Sequence, residues 1–342
     1  MTTVFVSGAT GFIASHLVKQ LLKANYKVIG SVRSQEKGQS LKSKLDNINV
    51  ATDKFSFVVV EDIAAKGAFD QALKTNPEVD VFLHTASPVT FKVTDVKKEL
   101  LDPAVEGTTN ALNAIKEYGK NIKRVVVTSS IAAVGTFGVE VGPDVIFNEK
   151  SWNPITWEQA LQNPQMGYSG SKTFAEKVVW DFVKKEIPQF TVATVCPGYV
   201  LGPQTFPIEN KKELNTSAET INKLLKLKPN DKIPKGEGVY IDVRDVAKAH
   251  IKAFEEEKAQ GQRLLLIAGK YNNQEIVNII REDFDVLDQI LPEGNPAAAK
   301  DFAPRLDKWH NEETRKILGF KFIDLRQSVD DAVGQILNDT VE

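Results

Sequence analysis

The sequence predicts an α/β fold: a doubly wound parallel sheet joined to a smaller, mixed C-terminal domain. Three observations carry this. Short β-branched and aromatic runs alternate with helical stretches from Val4 to about residue 203, a glycine turn joins the first run to the first helix, and the alternation lapses after Pro203. With 342 residues, 42% of them hydrophobic, the chain can build one large or two modest cores without a disulfide staple.

Charge and composition exclude several functions. A net charge of -2 leaves no basic footprint, so neither nucleic acid nor an acidic membrane surface is expected as a partner. The single Cys196 rules out an internal disulfide, and histidines scattered at 16, 84, 250 and 310 offer no metal-ligand cluster, so no metal is expected. The start, Met1-Thr2-Thr3-Val4-Phe5, lacks the basic and long apolar regions of a signal peptide and reads directly as a strand. A reducing, cytoplasmic setting is the expectation. The uncharged stretches 125–139 and 190–208 are broken by Ser, Thr, Gly and Pro, and read as buried strands plus loops rather than membrane spans.

In chain order, Val4-Phe5-Val6 is the first strand. Gly8-x-x-Gly11-x-x-Ala14 follows, with Phe12 and Ile13 inside it. Gly8 permits the tight turn, Gly11 lets the backbone approach a pyrophosphate, and Ala14 allows close helix packing. The N–H groups at the helix start then face the phosphates. This is the dinucleotide-binding turn of a Rossmann-type sheet, standing in its required context of first strand and first helix. The second strand, 27–33, ends without the carboxylate that an NAD ribose wants. It carries Arg33, with Lys37 a turn beyond, and so fits the 2′-phosphate of NADP(H). A third strand, 55–60, leads to Asp62 and Ile63, placed for the adenine or, equally, forming a capped turn.

A fourth strand, 79–83, runs into His84-Thr85-Ala86-Ser87-Pro88, where small residues leave room for a ligand. Residues 102–118 read as a helix, with Gly107 for close packing. A fifth strand, 124–130, carries the three hydroxyls Thr128-Ser129-Ser130 at its end, and ligands in such sheets sit beyond the carboxyl ends of strands. Ser129 or Ser130 thus faces the same crevice. The connection 132–166 is expected to fold over the mouth. From Tyr168 to Lys185 the pattern is helical, which puts Tyr168 and Lys172 one turn apart on one face. A neighbouring ammonium favours phenolate, making this pair a candidate proton donor. Spacing alone decides nothing, because Tyr240 and Arg244 match it. A sixth strand, 190–195, ends at Pro197-Gly198. Beyond 203 lie a helical run 220–227, a helix led by 240–247, a further strand near 263–268, a helix capped by Asn273, and two terminal helices split by Gly319. Residues 1–202, with about 240–268, are expected to form the NADP-binding domain. Residues 203–239 and 269–342 are expected to form the smaller substrate-binding one.

The glycine turn, Thr128-Ser129-Ser130 and Tyr168-x-x-x-Lys172, in this order, resemble the extended short-chain dehydrogenase/reductases. Within these the chain is most similar to the dihydroflavonol reductase branch and its yeast methylglyoxal, aldehyde and ketone reductases. His84–Pro88, Asn215-Thr216-Ser217, Tyr240–Ala247 and Leu318-Gly319-Phe320 extend the likeness over the whole chain. The resemblance implies that Ser130 polarises a carbonyl, Tyr168 donates the proton, and Lys172 tunes the tyrosine and holds the nicotinamide ribose. It also implies cofactor contacts at Thr128, Pro197, Val200 and Ser217. An Asn common in the family on the central helix is Ala104 here, so any proton relay needs other groups. The expected activity is NADPH-dependent reduction of a small-molecule carbonyl, by a monomer or homodimer. The alternatives are a nucleotide-sugar epimerase or dehydratase, and a non-catalytic NADP-sensing regulator.

Overall fold

The computed structural model describes residues 1–87, 93–136, 142, 144–208, 214 and 216–338, with the backbone alone at 216 and 217. In chain order the first half runs β1 (Thr3–Ser7), α1 (Phe12–Lys23), β2 (Lys27–Val32), α2 (Gln35–Asn47), β3 (Phe55–Val59), α3 (Asp70–Lys74), β4 (Val81–His84), α4 (Asp102–Tyr118) and β5 (Arg124–Thr128). Then come α5 (Trp157–Ala160), α6 (Pro164–Glu186), β6 (Thr191–Pro197), β7 (Tyr199–Leu201), α7 (Thr216–Leu225), β8 (Glu237–Asp242) and α8 (Val243–Glu255). The chain closes with β9 (Arg263–Leu266), β10 (Gly269–Asn272), α9 (Asn273–Asp283), α10 (Asp285–Asp288), α11 (Glu312–Leu318) and α12 (Leu325–Asn338).

Seven strands form one parallel sheet in the order β3-β2-β1-β4-β5-β6-β9. The chain winds outward from β1 to β3, then crosses to the other side of β1 for β4, so the topological switch lies between β1 and β4. Side chains alternate between two cores. Val4, Val6, Leu83 and Val126 pack with α1 and α8 on one face, while Phe5, Phe82, Val125 and Val127 pack with α4 and α6 on the other. Both faces are covered, which is why the strands read as near-continuous apolar runs.

A second sheet has the order β10-β8-β7, with β8 antiparallel to β10 and parallel to β7. Its core is Leu201, Ile221, Tyr240, Tyr271, Ile276, Ile280, Val329 and Val333. Tyr199–Leu201 and Glu237–Asp242 therefore pair in this second sheet, where the sequence suggested only a turn and a helix leader. Polar clamps tie the two parts together. Ser15 Oγ meets Thr205 Oγ1 at 2.8 Å, the Ile323 N–H donates to Asp245 at 2.7 Å, and Ser328 donates to Asp242 at 2.7 Å. Two local expectations are corrected. The fourth strand begins at Val81, and α9 is capped by Asn272, whose extended backbone aims its side chain at the Glu275 N–H, 2.8 Å away. Asn273 instead donates to the Pro234 carbonyl at 3.0 Å. Among the described residues no helix is long and apolar enough to cross a membrane.

Candidate active site

The carboxyl ends of β1, β4, β5 and β6 converge at the switch. Gly8, at φ +65°, turns the chain out of β1, and a Cβ there would come within 3.0 Å of the Ala86 Cβ. Ser7 staples the two strand ends: its Oγ accepts from the Thr85 and Ala86 N–H groups, both at 3.0 Å, and its proton goes to His84 Nδ1, also at 3.0 Å. Thr85 returns a hydrogen bond to the Ser7 carbonyl. His84 must accept at Nδ1, in keeping with burial and the nearby Lys172 charge lowering its pKa to about 4. The Gly8 N–H donates to Ser31 at 3.1 Å, and the Gly11 N–H to the Gly8 carbonyl at 2.9 Å. Gly11 is the N-cap of α1, yet no side chain caps that helix and no acidic residue occupies its first turn. Its N–H groups and dipole are left for an anion, and partly buried Phe12 and Ile13 continue from it.

Arg33 and Lys37 are exposed just past β2, and Ser34 caps α2 by accepting from the Lys37 N–H. Asp62 folds its carboxylate onto the Ala64 N–H at 2.9 Å. Ile63 packs where a Cβ on Gly107 would come within 2.8 Å, so that glycine does serve close packing. Pro197 ends β6 in a buried position, Val200 is partly buried in β7, and Ser87 is partly buried beyond Ala86. Thr128 places its hydroxyl 2.7 Å from His250 Nε2, while His250 Nδ1 donates to the Val246 carbonyl at 2.8 Å. Pro88, Asn215 and the Ser217 side chain lie outside the described residues, as do 137–141 and 143 of the connection expected over the mouth.

The alternation of β5 separates the two serines. Ser130 N-caps a turn of 3-10 helix, accepting from the Ala132 N–H at 3.1 Å, and the Tyr168 hydroxyl donates to the same oxygen at 3.4 Å. Neither contact uses the Ser130 proton, which is available to a substrate oxygen. Ser129 points the other way and donates to Glu176 at 2.6 Å, so only Ser130 faces the phenol. Tyr168 stands in the second turn of α6, which is started by Pro164 and by Asn163 capping the Met166 N–H at 2.9 Å. Lys172, one turn on and 6% exposed, has its ammonium 6.0 Å from the Tyr168 ring centroid.

Burial raises the Tyr168 pKa above its ordinary value, and the Ser130 hydrogen bond only partly opposes it. Burial lowers Lys172 itself to about 8. Tyr240 and Arg244, the rival pair, are structural: Tyr240 is core, and Arg244 binds Asp242 and Asp331.

Two groups escaped the sequence reading. Ser7 had no signal beyond being a hydroxyl at a strand end. Glu176 had one, since it continues the four-residue spacing of Tyr168 and Lys172 along α6. It is 1% exposed and takes hydrogen bonds from Ser129, Thr194 and Arg263. Burial opposes its charge, but those bonds outweigh it and hold the carboxyl below its usual range.

Residues 4–269 match the model of the NAD dependent epimerase/dehydratase family. The fold closely follows Gre2 of Candida albicans crystallised with NADPH, at 50% identity and a TM-score of 0.92, covering 99% of both chains. A yeast methylglyoxal/isovaleraldehyde reductase crystallised with NADPH is 45% identical, with a TM-score of 0.93 over 98% of each chain. The ketoreductase azaE of Aspergillus niger is 40% identical over 98% of this chain and 97% of its own. The glycine turn, the Ser130–Tyr168–Lys172 array and these full-length likenesses have one reading: the chain belongs to the NAD dependent epimerase/dehydratase family, among the extended short-chain dehydrogenase/reductases.

Proposed function

We propose that this protein is an NADPH-dependent reductase of small aldehydes and ketones. The carrying observation is the Tyr168 hydroxyl 3.4 Å from Ser130 Oγ, with Lys172 one turn along the same buried helix face. The uncapped start of α1 and the basic end of β2, which has no carboxylate between Lys27 and Gln35, fit the phosphates of NADPH. Gly8, Gly11, Phe12, Ile13, Thr85, Ala86 and Ser87 would line its pyrophosphate and nicotinamide half, with Arg33 and Lys37 on the 2′-phosphate and Asp62 and Ile63 at the adenine. Thr128, Pro197, Val200 and Ser217 are assigned further contacts. When bound, NADPH supplies the hydride.

The chain supplies the rest. Ser130 donates its free proton as a hydrogen bond to the carbonyl oxygen and orients it. Tyr168 protonates that oxygen as charge develops, a step worth roughly 10²–10⁴-fold. Lys172, its ammonium destabilised by burial, is assigned to the nicotinamide ribose and to stabilising the phenolate left behind. We assign 1–202 with about 240–268 to the cofactor domain, and 203–239 with 269–342 to the substrate domain, with β7 and β8 crossing that division to pair in the second sheet. A monomer or a homodimer is the expected assembly. The lone buried thiol suits a cytoplasmic setting.

Likeness to a methylglyoxal/isovaleraldehyde reductase and to a ketoreductase supports small dicarbonyls, branched aldehydes and ketones as the substrate class. NADPH absorbance followed against such a panel tests this. Oxidation of NADPH with at least one carbonyl is expected, and cofactor binding without turnover of any would instead support an NADP-sensing regulator.

A further inference from the structure

Helix α6 carries Tyr168, Lys172 and Glu176 at successive four-residue steps, so all three project from one face towards the sheet. A carboxylate removed from water costs several kcal/mol unless it is paired and fully hydrogen-bonded. Glu176 meets that demand by gathering donors from β6, from β9, from its own helix and from Ser129 just past β5. Its Oε1 accepts from Thr194 of β6 at 2.7 Å, Arg263 Nε of β9 at 2.7 Å and Trp180 Nε1 at 3.2 Å. Its Oε2 accepts from Ser129 at 2.6 Å and Arg263 Nη2 at 3.1 Å. The Cys196 thiol lies 3.6 Å from the same oxygen. Arg263 is itself pinned by the Ala133 and Glu149 carbonyls and stacks 3.9 Å from the Trp152 ring centroid.

The geometry has a mechanical consequence. Ser129 and Ser130 are consecutive, and strand alternation sends one hydroxyl to Glu176 and the other to the phenol. The two serines therefore join the strand end to the helix at points about 12 Å apart along it at about 1.5 Å per residue, with Thr173 between them donating to the Ala132 carbonyl at 3.3 Å. One joint is charged, buried and short. The other, at 3.4 Å, lies near the limit of hydrogen-bond reach, where a shift of a few tenths of an ångström breaks it.

We propose that Glu176 is the positioning residue of this site: held by Thr194 and Arg263 and gripping Ser129, it fixes how far α6 stands along β5, and so sets the distance between Tyr168 and Ser130. It touches neither substrate nor cofactor and acts through Tyr168.

The inference takes the role of Tyr168 from the proposed function, but its geometric part can be read without turnover. Ser129→Ala removes the grip and leaves the Glu176–Arg263 pair intact, while Glu176→Gln removes the charge. Crystal structures of the full-length variants are expected to show Tyr168 Oη beyond about 3.5 Å from Ser130 Oγ, outside hydrogen-bond reach. With NADPH and a carbonyl that the wild type turns over, kcat should fall about 10- to 100-fold, as for a misplacement of about an ångström. KM and the NADPH Kd should stay within about twofold, because binding groups are left in place. A merely structural Glu176 predicts lower thermal stability with kcat per folded enzyme and the Tyr168–Ser130 distance unchanged, and that result overturns the proposal. If Glu176→Gln does not fold, Ser129→Ala decides alone. A wild type inactive on every carbonyl counts against the reductase reading. An unmoved Tyr168 in Ser129→Ala counts against this one.

Discussion

At Tyr168 two effects act on one proton: burial raises the phenol pKa, and the Ser130 hydroxyl lowers it by a smaller amount. A buried phenol that keeps its proton at neutral pH is a competent acid once negative charge develops on a bonded oxygen. Tyr168→Phe keeps the ring and removes that proton, so kcat should drop by roughly 10²–10⁴-fold while NADPH still binds with similar affinity. Near wild-type turnover in this variant would defeat the assignment. Arg33 makes a different kind of claim, since it is exposed and has only its charge to contribute. A charge-assisted bond worth about 1.5–3 kcal/mol implies that Arg33→Glu shifts the NADPH/NADH ratio of kcat/KM by roughly 10- to 100-fold towards NADH. An unmoved ratio would place the 2′-phosphate elsewhere.

Helix α6 bears the chemistry, and its two ends differ in quality. The N-terminus is well made, with Asn163 as cap and Pro164 in the first turn. The C-terminus ends on Ile187, a β-branched residue at φ 43° with 83% of its surface exposed. An L residue with a Cβ costs about 1–2 kcal/mol in the left-handed region, and Asn tolerates it better. Ile187→Asn should therefore raise stability by about 1 kcal/mol, seen as a higher urea midpoint at unchanged slope. The cap is far from Tyr168, so kcat should not change. A lower midpoint would mean that the Ile side chain contributes packing which its exposure does not suggest.

Over the whole molecule, three histidines are buried and neutral. His16, His84 and His250 each have burial as the main cause of a pKa lowered to about 4. The unfolded chain, with histidine near 6.5, takes up protons first on acidification. Their stabilisation is therefore complete above about pH 6.5 and is lost as pH falls towards 4, at about 1.4 kcal/mol per histidine per pH unit. Asp245, raised by burial to about 6, acts with opposite sign, because its folded form takes up the proton first. Asp330, raised likewise to about 6, does the same from a more exposed place. Three deeply buried imidazoles outweigh these two, and Tm should fall steeply between pH 7 and pH 5. A flat Tm over that range would show that the histidines do not stay neutral. The consequence reaches the site, since His84 ties β4 to Ser7 and His250 holds Thr128.

Much of this protein was legible in the residues. The glycine turn, the strand runs and the boundaries of α4 follow from local chemistry: backbone freedom at Gly8, alternation in buried strands and helical periodicity. So does the candidacy of Tyr168 and Lys172, because four-residue spacing fixes a shared helix face. Other features needed the three-dimensional arrangement. Only the twist and alternation of β5 send Ser130 to the phenol and Ser129 to Glu176. Only long-range pairing puts β7 and β8 in the second sheet, and only burial raises the Tyr168 pKa. A sequence states spacing along the chain, and these outcomes depend on distances and desolvation between segments far apart in it, such as Glu176 and Arg263, whose charges meet at 2.7 Å across 87 residues.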